Sequence, residues 1–167
     1  MKPGITRREL EITDRQEILR ILDQCKIVHV AMVDDGMPYL VPLNYGYVMD
    51  NDQLILYMHG SLQGRKIDVM RKNPNVFFEM NCEVKAFEGQ VACQYGTSYS
   101  SIMGSGKVEI LEDVEAKKEG LALFMKSQTG RDFEFTDKMV SAVHVMKITV
   151  DEFTAKHRPD PMEREKK

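Results

Sequence analysis

The loop after the third predicted strand carries residue types that could bind an anion. It is bounded by Gly60 and Gly64, and a predicted helix begins at Arg65 and Lys66. Free N–H groups at a helix N-terminus favour an anion, the two basic residues add full charge, and Ser61 adds a hydroxyl donor. The pattern predicts a phosphate site unlike a Walker A loop, since only three residues separate the glycines. The alternative is an ordinary strand–helix turn with a solvated basic first turn.

His59 lies at the junction between that strand and the loop. A histidine at a loop edge, beside an anion site, is well placed to face a ligand. Its reference pKa of about 6.5 lets it gain a proton near neutral pH. We therefore name His59 as a candidate catalytic acid. The alternative is a structural histidine that only hydrogen-bonds the loop.

A proline interrupts the second predicted strand, in the run Val41, Pro42, Leu43 and Asn44. Proline lacks the N–H that a central ladder needs, so its nitrogen must face an edge, a bulge or a ligand. A planar aromatic ligand could lie along such an edge and use its backbone N–H and C=O groups. The alternative is an ordinary edge strand in which the following tyrosines are half buried.

A third candidate stretch runs from Tyr99 to Lys107 and includes Ser101 and Met103. Its small residues would allow a close approach of the backbone to a ligand. The alternative is a barrel strand bent by its glycines. Motifs typical of zinc proteases, serine hydrolases and dinucleotide-binding folds do not occur in the sequence. For Cys93 we expect a buried, inert thiol rather than a nucleophile, because no partner residue can be identified.

Composition sets the broad class of the protein. The chain has 167 residues, a mass of 19.2 kDa and a formal net charge of -3, which predicts one globular domain and argues against nucleic-acid binding. No apolar run approaches the roughly 20 residues of a membrane span, and we expect no membrane partner and no signal peptide. Three cysteines, at 25, 82 and 93, predict neither a disulfide framework nor a metal site. They suit a reducing cytoplasm.

Hydrophobic periodicity and turn residues predict many short strands and few helices. We expect a capping box from Thr13 to Gln16, an antiparallel meander over 27–58 and a polar loop over 84–91. Residues 1–12 are expected to form an arm and 157–167 a mobile tail. The remaining elements are a helix at about 65–72, strands at 75–80, 92–111 and 143–150, and helices at 113–127 and 136–142. Together they predict a small antiparallel β-barrel with peripheral helices.

Several of these segments occur in an order and spacing that resemble a known family. They are Arg7–Arg8 with Ile12–Asp14, Gly36–Gly46, Leu56–Gly60, Gly64–Lys66, Asn73–Glu79, Tyr99–Gly104 and Phe153–Lys156. The sequence resembles the pyridoxamine-phosphate-oxidase-like flavin-binding split barrels, in the branch of the nitroimidazole-resistance (Nim) proteins. Each motif alone is weak, and their order over nearly the whole chain carries the resemblance.

The resemblance implies a mainly β fold, a six-stranded antiparallel split barrel with peripheral helices, and a homodimer. FMN would lie in a cleft between subunits, with FAD or haem as less favoured cofactors. It implies that Val41–Asn44 run along the isoalloxazine ring, that His59–Lys66 hold the phosphate and ribityl end, and that Ser101, with Met103, lies near the flavin. The chain departs from the branch at Ser100, Ser105 and Ala155.

Two functions follow from the resemblance. The first is a flavin-dependent oxidoreductase that reduces a small oxidised substrate such as a nitroaromatic. In such an enzyme the cofactor supplies the redox chemistry, and the protein supplies position and electrostatics. The second is a non-catalytic carrier or sensor that binds flavin or haem. A yellow protein would favour the first function and a Soret band would favour haem binding.

Overall fold

The computed structural model describes residues 7–164. The described strands are β1 (Glu11–Ile12), β2 (Ile27–Asp34), β3 (Met37–Asn44), β4 (Gly46–Asp50), β5 (Gln53–Gly60), β6 (Asn75–Phe87), β7 (Gly96–Leu111) and β8 (His144–Arg158). The helices are α1 (Arg15–Gln24), α2 (Arg65–Lys72), α3 (Val114–Thr129), α4 (Asp137–Ser141) and α5 (Pro161–Arg164). Short 3-10 helices cover Arg8–Leu10 and Ala92–Gln94.

The strands form one antiparallel sheet with flanking helices, which confirms the predicted mainly β split barrel. The strand order is β3-β2-β6-β7-β8-β5-β4, and β1 pairs with β8. The described part of the sheet therefore has eight strands, not the six that the resemblance implied. Two strands account for the difference. β1, of two residues, is not among the predicted strands, and the single strand predicted over 38–48 divides into β3 and β4.

Tyr45 is the residue at which that predicted strand divides. Its ring is buried, and its hydroxyl donates a hydrogen bond to the carbonyl of Leu22 at 2.7 Å. The next residue, Gly46, packs so closely on α3 that a Cβ would collide with the backbone of Phe124. β3 and β4 consequently lie at opposite ends of the strand order. The predicted meander over 27–58 is wrong, because this segment forms two hairpins that are joined at this corner.

Alternate side chains of the strands fill the barrel, and helices cover its surface. The interior is apolar and includes Val28, Val30, Phe78, Met80, Ile102, Met146 and Ile148. α1 adds Ile21 and Leu22 to this core. A second cluster lies where α3 packs on β5 and β8, through Phe124, Tyr57 and Val145. Burial of these side chains, each contributing roughly 1.5–3 kcal/mol, holds the sheet that positions the candidate site.

Most predicted helix boundaries are confirmed. α2 covers 65–72 as expected, and Asp113 caps α3 by accepting a hydrogen bond from the amide of Ala116 at 2.8 Å. Gly130 ends α3 with a φ of 73°, a left-handed conformation that suits glycine. The predicted capping box at Thr13 is wrong. The N-cap of α1 is Asp14, and its side chain makes no capping hydrogen bond.

Two strands extend further than predicted. β6 continues to Phe87 through the expected loop, with a register shift between Cys82 and Lys85 and a φ of 57° at Glu83. This arm is exposed on both faces, so its sequence has no apolar alternation to reveal a strand. β8 includes 157–158 of the predicted tail, and α5 follows it. Residues 1–6 of the predicted arm and 165–167 of the tail lie outside the described residues.

Candidate functional site

The barrel is split between β3 and β5. The two strands lie near each other, but no backbone ladder joins them in the described structure. β3 pairs with β2 alone, with Pro42 opposite His29, so its other edge is unpaired. The predicted edge strand is therefore confirmed. Val41 and Leu43 pack against the core, while Pro42 and Asn44 are exposed, so this edge offers mainly backbone groups to a ligand.

The predicted phosphate loop follows β5, on the other side of the split. Gly64 is the N-cap of α2, with a φ of 147°, and its carbonyl accepts the amides of Ile67 and Asp68. The Lys66 side chain lies over Gly60: a Cβ there would stand 2.9 Å from its Cε and 3.3 Å from its Nζ. Among the described side chains, those of residues 7–162, no carboxylate lies within 4.0 Å of Lys66. The loop thus combines an uncompensated ammonium group with a helix N-terminus, a donor set that fits a phosphate.

The two basic residues of the loop have different environments. Arg65 donates from Nε to Asp34 at 2.8 Å, and its guanidinium lies 4.4 Å from the centre of the Tyr39 ring. These contacts join α2 to β2 and β3. The hydroxyl of Ser61 donates within the loop, to the carbonyl of Gln63. Lys66 is therefore the better-placed cation for an anion, and Arg65 fixes the helix beside the split.

The His59 side chain packs against α3. Its ring meets Phe124 edge to face, with 4.8 Å between ring centres and 87° between planes. Partial burial of the ring, and then the charge of Lys66, place the pKa of His59 below its ordinary value. The ring is therefore mostly neutral at pH 7, and a neutral imidazole is poorly suited to act as a general acid. An anion bound at Lys66 would cancel part of this effect.

Ser101 and Met103 lie apart from this split. Both are on β7, which β2 and β6 separate from β3 and which β8 separates from β5. Three and two strand spacings correspond to about 14 Å and about 10 Å along the sheet. Ser101 and Met103 instead line a cavity of about 430 Å³, together with Tyr99 and Lys156. One copy of the chain therefore brings the 41–44 edge and the 59–66 loop together, but not the β7 residues.

Sequence reasoning missed several polar contacts. Lys156 donates to the Tyr99 hydroxyl at 3.1 Å across two adjacent strands. Both residues belong to the motifs that carried the resemblance, and a register for β7 and β8 would have paired them. Ser100, noted as a departure, is buried and contacts Glu83 and His157. Cys93 is exposed, so the expectation of a buried thiol is wrong.

Fold and loop together define a split barrel with a basic loop at its open edge. A sequence model of the pyridoxamine 5'-phosphate oxidase family matches residues 14–157, and the chain belongs to this family. A search among curated proteins found no match. The helices described in residues 7–164 include none long and apolar enough to cross a membrane.

Solved structures share this fold, and one of them also supports the family assignment. A candidate 5-nitroimidazole antibiotic resistance protein from Bacteroides thetaiotaomicron is 35% identical, with 89% of this chain and 86% of that chain covered and a TM-score of 0.75. The flavocytochrome Anf3 from Azotobacter vinelandii is 22% identical, with 95% and 73% covered and a TM-score of 0.75. A FAD- and haem-binding protein from Mycobacterium smegmatis is 20% identical, with 88% and 72% covered and a TM-score of 0.75. The last two share the fold.

Proposed function

We propose that the protein binds FMN in the split between β3 and the 59–66 loop, and that it reduces a small oxidised substrate such as a nitroaromatic. The observation that carries the proposal is the uncompensated ammonium of Lys66, which lies over Gly60 beside the N-terminus of α2. The bound flavin would supply the electron-transfer chemistry. The protein would supply position, charge and protons.

The phosphate end of the cofactor would meet Lys66 and the first amides of α2, with Ser61 nearby. Charge-assisted hydrogen bonds of this kind contribute about 1.5–3 kcal/mol each. Arg65 would act indirectly, because its contacts with Asp34 and Tyr39 keep α2 next to β3. The flat end would lie along the unpaired edge of Val41–Asn44 and use its backbone donors and acceptors.

His59 would hold or deliver a proton at the phosphate end of this split. The pKa of the free ring is lowered by burial and by Lys66, so the resting ring is mostly neutral. A phosphate at Lys66 would offset that charge and raise the pKa of His59 again. The loaded protein would then provide a better proton donor than the protein without cofactor.

A homodimer would complete the site. The outward face of β2, β3, β6 and β7 exposes Ile27, Leu40, Phe77 and Met103. An apolar face of this kind is typical of an interaction surface, and a twofold dimer is the commonest way to cover one. Ser101 of the partner subunit would then reach the flavin. The three cysteines are free, which favours a reducing compartment such as the cytoplasm.

A carrier or sensor that binds haem is the second candidate. Two structures of the same fold are described as a flavocytochrome and as a FAD- and haem-binding protein. In this chain His59 is exposed enough to serve as an axial ligand. The charge of Lys66 close to His59 favours a cofactor with an anionic group at this position instead.

The absorption spectrum of the purified protein distinguishes these functions. We expect flavin bands and release of FMN on denaturation, followed by bleaching under reductant and recovery with a nitroaromatic. A Soret band with no flavin would favour the haem-binding candidate. A colourless protein that also leaves the fluorescence of added FMN unchanged would overturn the flavin proposal.

A further inference from the structure

The cavity of about 430 Å³ beside β7 holds a lysine–tyrosine pair to which the proposed function gives no role. Lys156 lies on β8 and Tyr99 on β7. Register pairs Ser101 with Lys156, and Tyr99 stands two residues from Ser101, so both side chains lie on the same face of the sheet. The volume falls within the range of small-molecule sites.

We propose that Lys156 and Tyr99 form an oxyanion subsite that binds the carboxylate or nitro oxygens of a small aromatic substrate. This inference rests on the proposed function, because it assigns the substrate class of the same enzyme. It concerns residues on the β7 side, which one copy of the chain does not bring to the phosphate loop.

Hydrogen-bond direction makes the pair a site for acceptors. An ammonium group only donates, so the Tyr99 oxygen accepts from Lys156 Nζ at 3.1 Å. The phenolic hydrogen of Tyr99 is then free for a third group, and Lys156 retains two further N–H donors. The pair therefore presents donors and a positive charge to the cavity, which matches an oxygen anion.

The nearby carboxylate forms no direct ion pair with Lys156. Glu79 also lines the cavity, but it accepts the amide of Asn81 at 3.0 Å and lies 3.3 Å from Nδ1 of His29. Among the side chains that the structure describes, residues 7–162, no carboxylate oxygen lies within 4.0 Å of Lys156 Nζ. The Lys156 ammonium group therefore has no direct carboxylate partner that a ligand would have to displace.

The rest of the wall suits a flat apolar body. In the single chain Val84 and Met103 expose 62% and 38% of their surface, and both line this cavity. Met103 also belongs to the apolar face that the proposed dimer would cover, so the cavity borders that interface. Apolar walls with a few convergent polar groups are typical of ligand sites. An aromatic ring would lie against these two side chains while its anionic group meets Lys156. Carboxylated nitroaromatics combine both features.

Calorimetric titration with 4-nitrobenzoate tests the subsite, with and without bound FMN. We expect Lys156→Met and Tyr99→Phe each to weaken 4-nitrobenzoate binding by about tenfold or more, and to leave the uncharged analogue toluene unaffected. Lys107→Met is the matched control, because it removes an exposed lysine from the same strand as Tyr99. We expect it to leave both affinities unchanged.

The dissociation constant for FMN separates this inference from the proposed function. We expect Lys156→Met to leave FMN affinity unchanged, since the phosphate would be held at Lys66. Unchanged 4-nitrobenzoate affinity in both variants would overturn the subsite while flavin binding stands. A tenfold loss of FMN affinity in Lys156→Met would also overturn it, because the cavity would then hold the cofactor.

Discussion

The hydroxyl of Ser100 donates a hydrogen bond to Oε2 of Glu83 at 2.8 Å. The Ser100 Oγ also lies 2.9 Å from Nδ1 of His157. Because a hydroxyl has one proton, we assign the Ser100 oxygen as acceptor from His157 N–H. Arg20 of α1 binds the other oxygen of Glu83. A chain of four polar side chains thus links α1, β6, β7 and β8 at one end of the barrel.

Ser100→Ala tests how much these four hydrogen-bonded side chains contribute to stability. The substitution removes a fully buried hydroxyl and leaves Glu83 and His157 each without one partner. The Glu83 side chain is 40% exposed and keeps its contact with Arg20, so we expect the free energy of unfolding in urea to fall by about 0.5–1.5 kcal/mol, the net contribution of one hydrogen bond. Ser105→Ala, on the outward face of the same strand, serves as control and should change it little. Equal stability of the two variants would show that the hydrogen bonds of Ser100 contribute nothing to the free energy of unfolding.

Glu83 makes the same region sensitive to pH. The hydrogen bond from Arg20, then that from Ser100, hold the pKa of Glu83 below its ordinary value. Its contribution to stability is therefore present above about pH 4.3 and is lost as the pH falls through the lower folded value. We expect Glu83→Gln to be less stable than wild type at neutral pH, and the difference to narrow in more acidic buffer. Urea unfolding midpoints across the acid range measure this stability difference, and Glu88→Gln is the control variant.

The sequence predicts the type of most elements because strand and helix periodicities are clear where one face is buried. It predicts α2 and its basic N-terminus correctly, and that helix is also where the phosphate proposal rests. The corner at Tyr45 escapes prediction because the ring is anchored by Leu22, a residue from a distant element. No local pattern marks such a tertiary contact.

The site is only partly accessible from sequence for a similar reason. Residue types identify Arg65 and Lys66 as a basic pair, but only the fold shows that Asp34 binds one of them. Likewise, the order of strands separates Ser101 from the split, although the motifs suggest one site. Pairings between strands far apart in the chain decide these matters, and one sequence does not specify them.

His59 should titrate differently when the charge beside it changes. Burial and Lys66 both lower the pKa of His59, so Lys66→Met should raise it, though burial keeps it below the ordinary value of about 6.5. NMR titration of the imidazole measures this shift. Added phosphate should raise the pKa in wild type and not in Lys66→Met. Lys72→Met, at the other end of α2, is the control. An unchanged pKa of His59 in Lys66→Met would show that the charge of Lys66 does not act on His59.

The proposed dimer depends on the outward apolar face. Phe77 is 40% exposed there, opposite Ala31, and a carboxylate at this position would be buried unpaired in the interface. Light scattering should give twice 19.2 kDa for wild type and a monomer for Phe77→Asp. Val114→Asp changes an exposed apolar residue on α3 and should remain a dimer. A wild-type monomer that still binds flavin would contradict an interface site.

Lys66 and Arg65 should differ in their effect on FMN, although they are neighbours in sequence. Arg65 is bound to Asp34 and stacked on Tyr39, whereas Lys66 has no carboxylate within 4.0 Å in the described residues. Lys66→Met should therefore weaken FMN binding by about tenfold or more, and Arg65→Met by less. Quenching of flavin fluorescence gives both dissociation constants.

Riboflavin provides the internal control for that comparison, because it carries the same ring system without the phosphate. If Lys66 binds the phosphate, wild type should prefer FMN over riboflavin, and Lys66→Met should lose most of that preference while riboflavin affinity stays constant. Arg65→Met should weaken both ligands alike, since it acts through the position of α2. An FMN preference that survives in Lys66→Met would place the phosphate elsewhere on the protein.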